Sequence, residues 1–168
     1  RLALGIRAST AISSVVNGVL LRPLPYHEGD RLLVSSMSLP DYRDLRARLR
    51  AFDRTAIWAS NLYSVRDTDE PEEIMGGIVS PTFFPLLAEP LLGRTIDAQN
   101  ERTAVAVISH SYWQRHYAGA RDVLGRKINL SSEPYTIIGV MPPDFSYPDR
   151  TFDVWVPISF AMLMKSMY

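Results

Sequence analysis

The feature that most constrains this chain is a mostly apolar stretch, Leu2 to Leu21, that runs without a turn into Arg22-Pro23-Leu24-Pro25-Tyr26. A helix rises about 1.5 Å per residue and a hydrocarbon core is about 30 Å thick, so a segment of this length can cross most of a bilayer. The prolines at 23 and 25 stop it, because each removes a backbone donor and pushes the preceding residue out of helical geometry. Arg7 and Asn17, with Ser9, Thr10, Ser13 and Ser14, dilute the hydrophobicity that insertion needs. The residues alone leave three readings open. One is the end of a membrane helix whose lipid or partner-helix face is Ile12, Val15, Val16, Val19 and Leu20. Another is an ordinary amphipathic or buried helix. The third is a signal-like segment, which lacks a small-residue cleavage pattern before Arg22-Pro23. Because the chain opens at Arg1 without Met, the expectation is a cut segment whose upstream residues complete the span.

Beyond Pro25 the 168-residue chain is long enough for one real core but hardly for two. Eighteen basic residues balance eighteen acidic ones, which argues against a phosphate-backbone partner; no nucleic acid is expected. Cysteine is absent, which excludes disulfides, thiol catalysis and thiolate metal sites.

The periodicity predicts strands interleaved with short helices. Residues 31–35 read as a strand, and Tyr42, Leu45, Leu49 and Phe52 give one apolar face to a helix opening near Pro40-Asp41. Residues 56–65 read as extended, and the charged run from Arg66 to Glu73 as a hairpin-like turn returning into 74–79. Ser80 is the expected cap of a short helix over 81–87, and Gly93-Arg94-Thr95 closes that unit. A small buried strand at 104–108 feeds Ser109 as the cap of a helix over 110–117. A short helical turn ends at Leu124-Gly125, strands follow at 127–130 and 134–141, and Ser131-Ser132-Glu133 forms their hairpin connection. Residues 153–157 are one last extended piece before a Met-rich tail. The fold class is mixed α/β (α+β), not a sandwich or a bundle.

No residue pattern advertises catalysis. His110 and His116 are six apart, which does not put them on one helix face as a ligand pair, and no zinc-protease spacing occurs. Ser109-His110-Ser111 sets nucleophile and base types side by side, but neighbours at a helix start do not point at each other, and no Gly-x-Ser-x-Gly elbow is present. Gly76-Gly77 belongs to no phosphate-cradling loop. The acidic cluster at 67–73 lacks the alternating ligands of a calcium loop, and the arginines from 43 to 54 are offset by aspartates. No catalytic, cofactor-binding or metal residue is expected, and no cofactor. Phe83, Phe84, Trp113, Tyr135, Phe145 and Trp155 are expected to be core, and any exposed one among them would be a candidate structural or partner contact. The glycines at 93, 125 and 139 read as backbone devices.

Several stretches, in order, resemble one family. Gly5 to Tyr26 is similar to the first transmembrane segment and its exit in the MacB/FtsX-like permeases of ABC transporters, especially the acidobacterial-type permease group. The segments Asp41 to Arg46, Val79 to Phe84, Leu91 to Arg94, Val107 to Arg115, Val123 to Ile128, Tyr135 to Phe145 and Asp153 to Pro157, with Phe52, resemble its periplasmic core domain. Arg7, Ser9 and Ser13 depart from the family pattern of Gly, Asn and a bulky apolar residue, making this segment more polar. The resemblance implies residues 1–25 as the C-terminal part of the first transmembrane helix with its exit turn. Residues 26–168 would be the N-terminal portion of a truncated MacB-like periplasmic core domain, extracytoplasmic at a bacterial inner (cell) membrane. It implies a non-catalytic domain that couples the movements driven by a cytoplasmic ABC ATPase subunit to substrate export or control of a periplasmic partner. A second permease copy, a periplasmic adaptor and the lipid bilayer are the other implied partners. The alternatives are a stand-alone extracytoplasmic binding or sensory module, and a small soluble enzyme with a polar site around His110 and Ser111.

Overall fold

The structure is a computed structural model that describes residues 33–36, 55–66 and 71–165. The membrane-segment residues Ile12, Val15, Val16, Val19 and Leu20, and the helix expected around Tyr42 to Phe52, lie outside the described residues, as do residues 67–70 of the charged turn.

Among the described residues eight strands form one sheet: β1 (Leu33–Ser36), β2 (Thr55–Val65), β3 (Glu72–Val79), β4 (Leu92–Gly93), β5 (Val105–Ile108), β6 (Lys127–Leu130), β7 (Glu133–Val140) and β8 (Phe152–Pro157). Among the described residues three α-helices accompany them: α1 (Phe83–Leu87), α2 (His110–Tyr117) and α3 (Ile158–Lys165), with a 3₁₀ turn at Arg121–Val123. The sheet order is β1-β2-β3-β8-β5-β7-β4, and β6 pairs with both β7 and β2. Strands β2, β3, β8, β5, β7 and β6 therefore close into a ring, with β1 and β4 as flanking edges. Closure removes most of the exposed ladder that an open sheet would present.

Alternation along the strands builds two cores, one on each face. Ile57, Tyr63 and Val65 of β2, Ile74 and Ile78 of β3, and Ala106 and Ile108 of β5 pack with Tyr112 and Trp113 of α2 and Ile158 of α3. Their neighbours in sequence, Ala56, Val79, Val105 and Val107, pack with Phe83 and Phe84 of α1, Met141, Phe145 and Trp155. Short runs that are buried on both faces explain why 105–108 carries only apolar residues.

Two register shifts aim particular groups. Met75 pairs with Phe152 but Gly76 pairs with Val154, so Asp153 is the extra residue in β8. Ala106 pairs with Ile137 but Val107 with Gly139, leaving Ile138 as the extra residue in β7. The Ile138 carbonyl then accepts the Arg94 N–H at 2.9 Å, and this crossing with β4 leaves no room for side chains. A Cβ on Gly93, whose φ is +70°, would lie 2.2 Å from Ile138 O, and one on Gly139 would lie 2.1 Å from Arg94 O.

One local expectation is corrected. Ser80 does not cap α1: Thr82 holds that position without a side-chain cap bond, while the Ser80 hydroxyl accepts the Ile57 N–H at 3.0 Å and contacts the Thr82 hydroxyl. The Met-rich tail begins as helix α3, whose first residue Ile158 is buried.

Candidate functional site

A polar cluster joins the start of α2 to the bulge in β8. Ser109 caps α2 as expected, its Oγ accepting the Tyr112 N–H at 3.0 Å, and the helix closes through Ala118 at φ +50° and Gly119 at φ +72°. The same hydroxyl donates to Asp153 Oδ1 at 2.8 Å, and the Ser109 N–H donates to the Asp153 carbonyl at 2.9 Å. Arg115, one turn and a half along α2, reaches back to Asp153 Oδ2 at 2.7 Å, with its guanidinium 5.8 Å from the centre of the Tyr112 ring. Asp153 is thus a buried carboxylate whose two oxygens are both occupied.

This geometry does not activate a nucleophile. Ser109 bonds Asp153, Ser111 and the Tyr112 amide, whereas the His110 ring sits edge-on to Trp113, with centroids 5.5 Å apart. A serine needs an imidazole or an equivalent base within hydrogen-bond reach, and here it meets a carboxylate already held by arginine. His116 stacks on Tyr112 at 4.1 Å between centroids, and its Nε2 lies 2.9 Å from Glu72 Oε1, close enough for an ion pair but without hydrogen-bond alignment. His27 lies outside the described residues. Among the described residues, no group of three or more His, Cys, Asp or Glu side chains is placed to hold a metal ion.

The six aromatic candidates are all buried, Phe83 and Phe84 completely and Phe145 least. Phe83 and Phe84 stand edge to face at 5.1 Å, and Trp155 meets Phe84 at 6.0 Å and Phe145 at 5.3 Å. Tyr135 packs on the other face against Phe160, and the Trp113 indole N–H donates to the Ala120 carbonyl at 2.9 Å. Burial of this kind is worth roughly 2–3 kcal/mol per large side chain, and it leaves none of the six facing solvent. Among the described residues the large apolar side chains that do face solvent are Leu62, Leu91 and Leu124, which strand and turn patterning did not single out. Two tyrosines are electrostatically displaced. Burial, with the Glu133 charge, pushes the Tyr135 phenol up to about 12, and burial raises Tyr63 further against a hydrogen bond from Asn61.

The sequence matches the family model of the MacB-like periplasmic core domain over residues 2–167. The chain belongs to that family. The MacB-like ring is similar to the extracellular domain of the noncanonic ABC-type transporter YknZ from Gram-positive bacteria, at 18% identity and a TM-score of 0.58. That match covers 79% of this chain and 67% of the other. The periplasmic region of MacB from Actinobacillus actinomycetemcomitans is similar at 14% identity and a TM-score of 0.60, covering 74% of this chain. The match spans only 58% of that MacB region. At these identities the likeness is one of fold. No curated protein sequence matches the chain. MacB-like periplasmic domains are non-catalytic modules, and this one is read with them on its family membership.

Proposed function

We propose that this chain is the extracytoplasmic domain of a MacB/FtsX-like ABC transporter permease, joined to the membrane by Leu2 to Leu21. The observation that carries the reading is the continuity of the family match, which runs from the apolar segment through the folded ring as one unit, residues 2–167. On this reading the helix ending at Pro23 and Pro25 passes movement from a cytoplasmic ATPase, encoded elsewhere, into the domain. The fold suits that task. Two cores on the two faces of one sheet make a body that can be shifted as a unit, and packed interiors transmit strain instead of absorbing it. The domain would act on exported substrate or on an extracytoplasmic partner by contact, without bond chemistry. Among the described residues no helix is long and apolar enough to cross a membrane; on this reading the anchor is the N-terminal segment.

The test is purification of the complete protein from membranes in mild detergent. The expected result is co-purification of an ABC-type ATPase whose ATP turnover changes when the permease is present. Recovery without any ATPase would instead favour the stand-alone sensory module.

A further inference from the structure

The bulge at Ile138 gives one edge of β7 two successive carbonyls. In a regular strand neighbouring carbonyls point to opposite edges, but here Ile137 O accepts the Gly125 N–H at 2.8 Å and Ile138 O accepts the Arg94 N–H at 2.9 Å. Strand β5 fills the other edge of β7, so the exit from β4 and the approach to β6 share this one. The two segments are in contact: a Cβ on Gly93 would lie 2.9 Å from Leu124 Cδ2.

The side chains gathered there face water. Leu91, two residues before Gly93, is 46% exposed and Leu124 is 38% exposed. Arg121 stands three residues before Leu124 across the 3₁₀ turn, the spacing at which side chains of such a turn eclipse. Arg94 follows Gly93, and Arg126 and Lys127 follow Gly125; all four cations are exposed. Arg94 faces Asp97 at 4.0 Å, Arg126 pairs with Asp122, and Lys127 donates to the neutral Thr136 hydroxyl. Two carboxylates thus offset four cations, and the leucines sit in a net positive surround. Glu89, also exposed, stands two residues before Leu91 and limits the patch on that flank. Single exposed leucines are ordinary, whereas apolar side chains held together within a charged, arginine-bearing rim have the make-up of a recognition surface.

We propose that this edge of the ring docks an acidic, apolar segment of a partner protein. The leucines supply the desolvated contact, and the cations choose a partner with carboxylates and turn away a basic one. The inference deepens the proposed function, since it describes the extracytoplasmic partner that reading calls for and the surface that meets it.

The test uses the complete protein, purified from membranes in mild detergent, and a short fluorescein-labelled peptide of Glu and Leu. Its controls are the same peptide with Lys for Glu, the same with Ser for Leu, and vesicles of phosphatidylglycerol as competitor. The Glu–Leu peptide is expected to bind at least ~10-fold more tightly than either control peptide, to weaken as salt is raised, and to resist displacement by the vesicles. Arg121→Glu, on an exposed side chain, and Leu124→Ser are each expected to weaken it by at least ~5-fold with an unchanged urea midpoint. Equal binding of the three peptides, or binding indifferent to Arg121→Glu, would overturn the proposal. Displacement by the vesicles would overturn it in favour of a lipid-facing surface. Co-purification of an ATPase without selective peptide binding sinks this inference and leaves the proposed function standing; selective binding without an ATPase does the reverse.

Discussion

Gly76 and Gly77 sit side by side in β3, and each makes room for an aromatic ring on an opposite face. A Cβ on Gly76 would lie 2.5 Å from Tyr63 Cε2, and one on Gly77 would lie 2.5 Å from Trp155 Cδ1. Glycine normally weakens a strand, but here the missing side chains let two large rings come close to the backbone. Gly77→Ala should therefore destabilise the fold by about 1–3 kcal/mol, the usual cost of overpacking a filled core, seen as a lower urea midpoint at unchanged slope. Tyr63 and Tyr135 carry a pH prediction. Their phenols titrate higher when folded than the ordinary value near 10, so the neutral form is favoured by the fold. The stability they contribute is complete below about pH 10 and is lost as pH rises towards about 12, where the folded Tyr135 ionises. Thermal melts should fall across that window, and the double variant Tyr63→Phe, Tyr135→Phe should fall less. An equal fall in both proteins would contradict the assignment.

At the scale of elements, capping separates two serines that look alike in sequence. Ser109 caps α2 and also donates to Asp153, whereas Ser80 spends its hydroxyl on the Ile57 amide of a neighbouring strand. Ser109→Ala should cost about 2 kcal/mol, because a cap and a bond to a buried carboxylate are lost together, measured by urea unfolding. The strands at 105–108 and 127–130 and the hairpin at Ser131-Ser132 were legible because an unbroken apolar run, an alternating one and turn chemistry are all local signals. Helix α3 was not, since Ile158 follows Pro157 and the run to Lys165 is apolar almost throughout, leaving no polar face to reveal a helical period. The Asp153 cluster was illegible for a different reason: Ser109 and Asp153 are 44 residues apart, and a bulge set by the β3–β8 register brings them together.

For the molecule as a whole, ring closure by β6 and the two-faced packing follow from pairings between distant strands, which residue spacing does not encode. The family membership, by contrast, was carried by ordered short stretches running from Gly5 to Pro157, and the match over residues 2–167 agrees with it. The central claim is that the ring lies on the far side of a membrane from an ATPase. Its most direct measurement uses the complete protein with Ser132→Cys in the exposed β6–β7 turn, in a background without other accessible thiols, treated in spheroplasts with a membrane-impermeant maleimide. The account predicts labelling of a membrane-bound protein before lysis. Labelling only after lysis, or recovery of the protein in the soluble fraction, would contradict it.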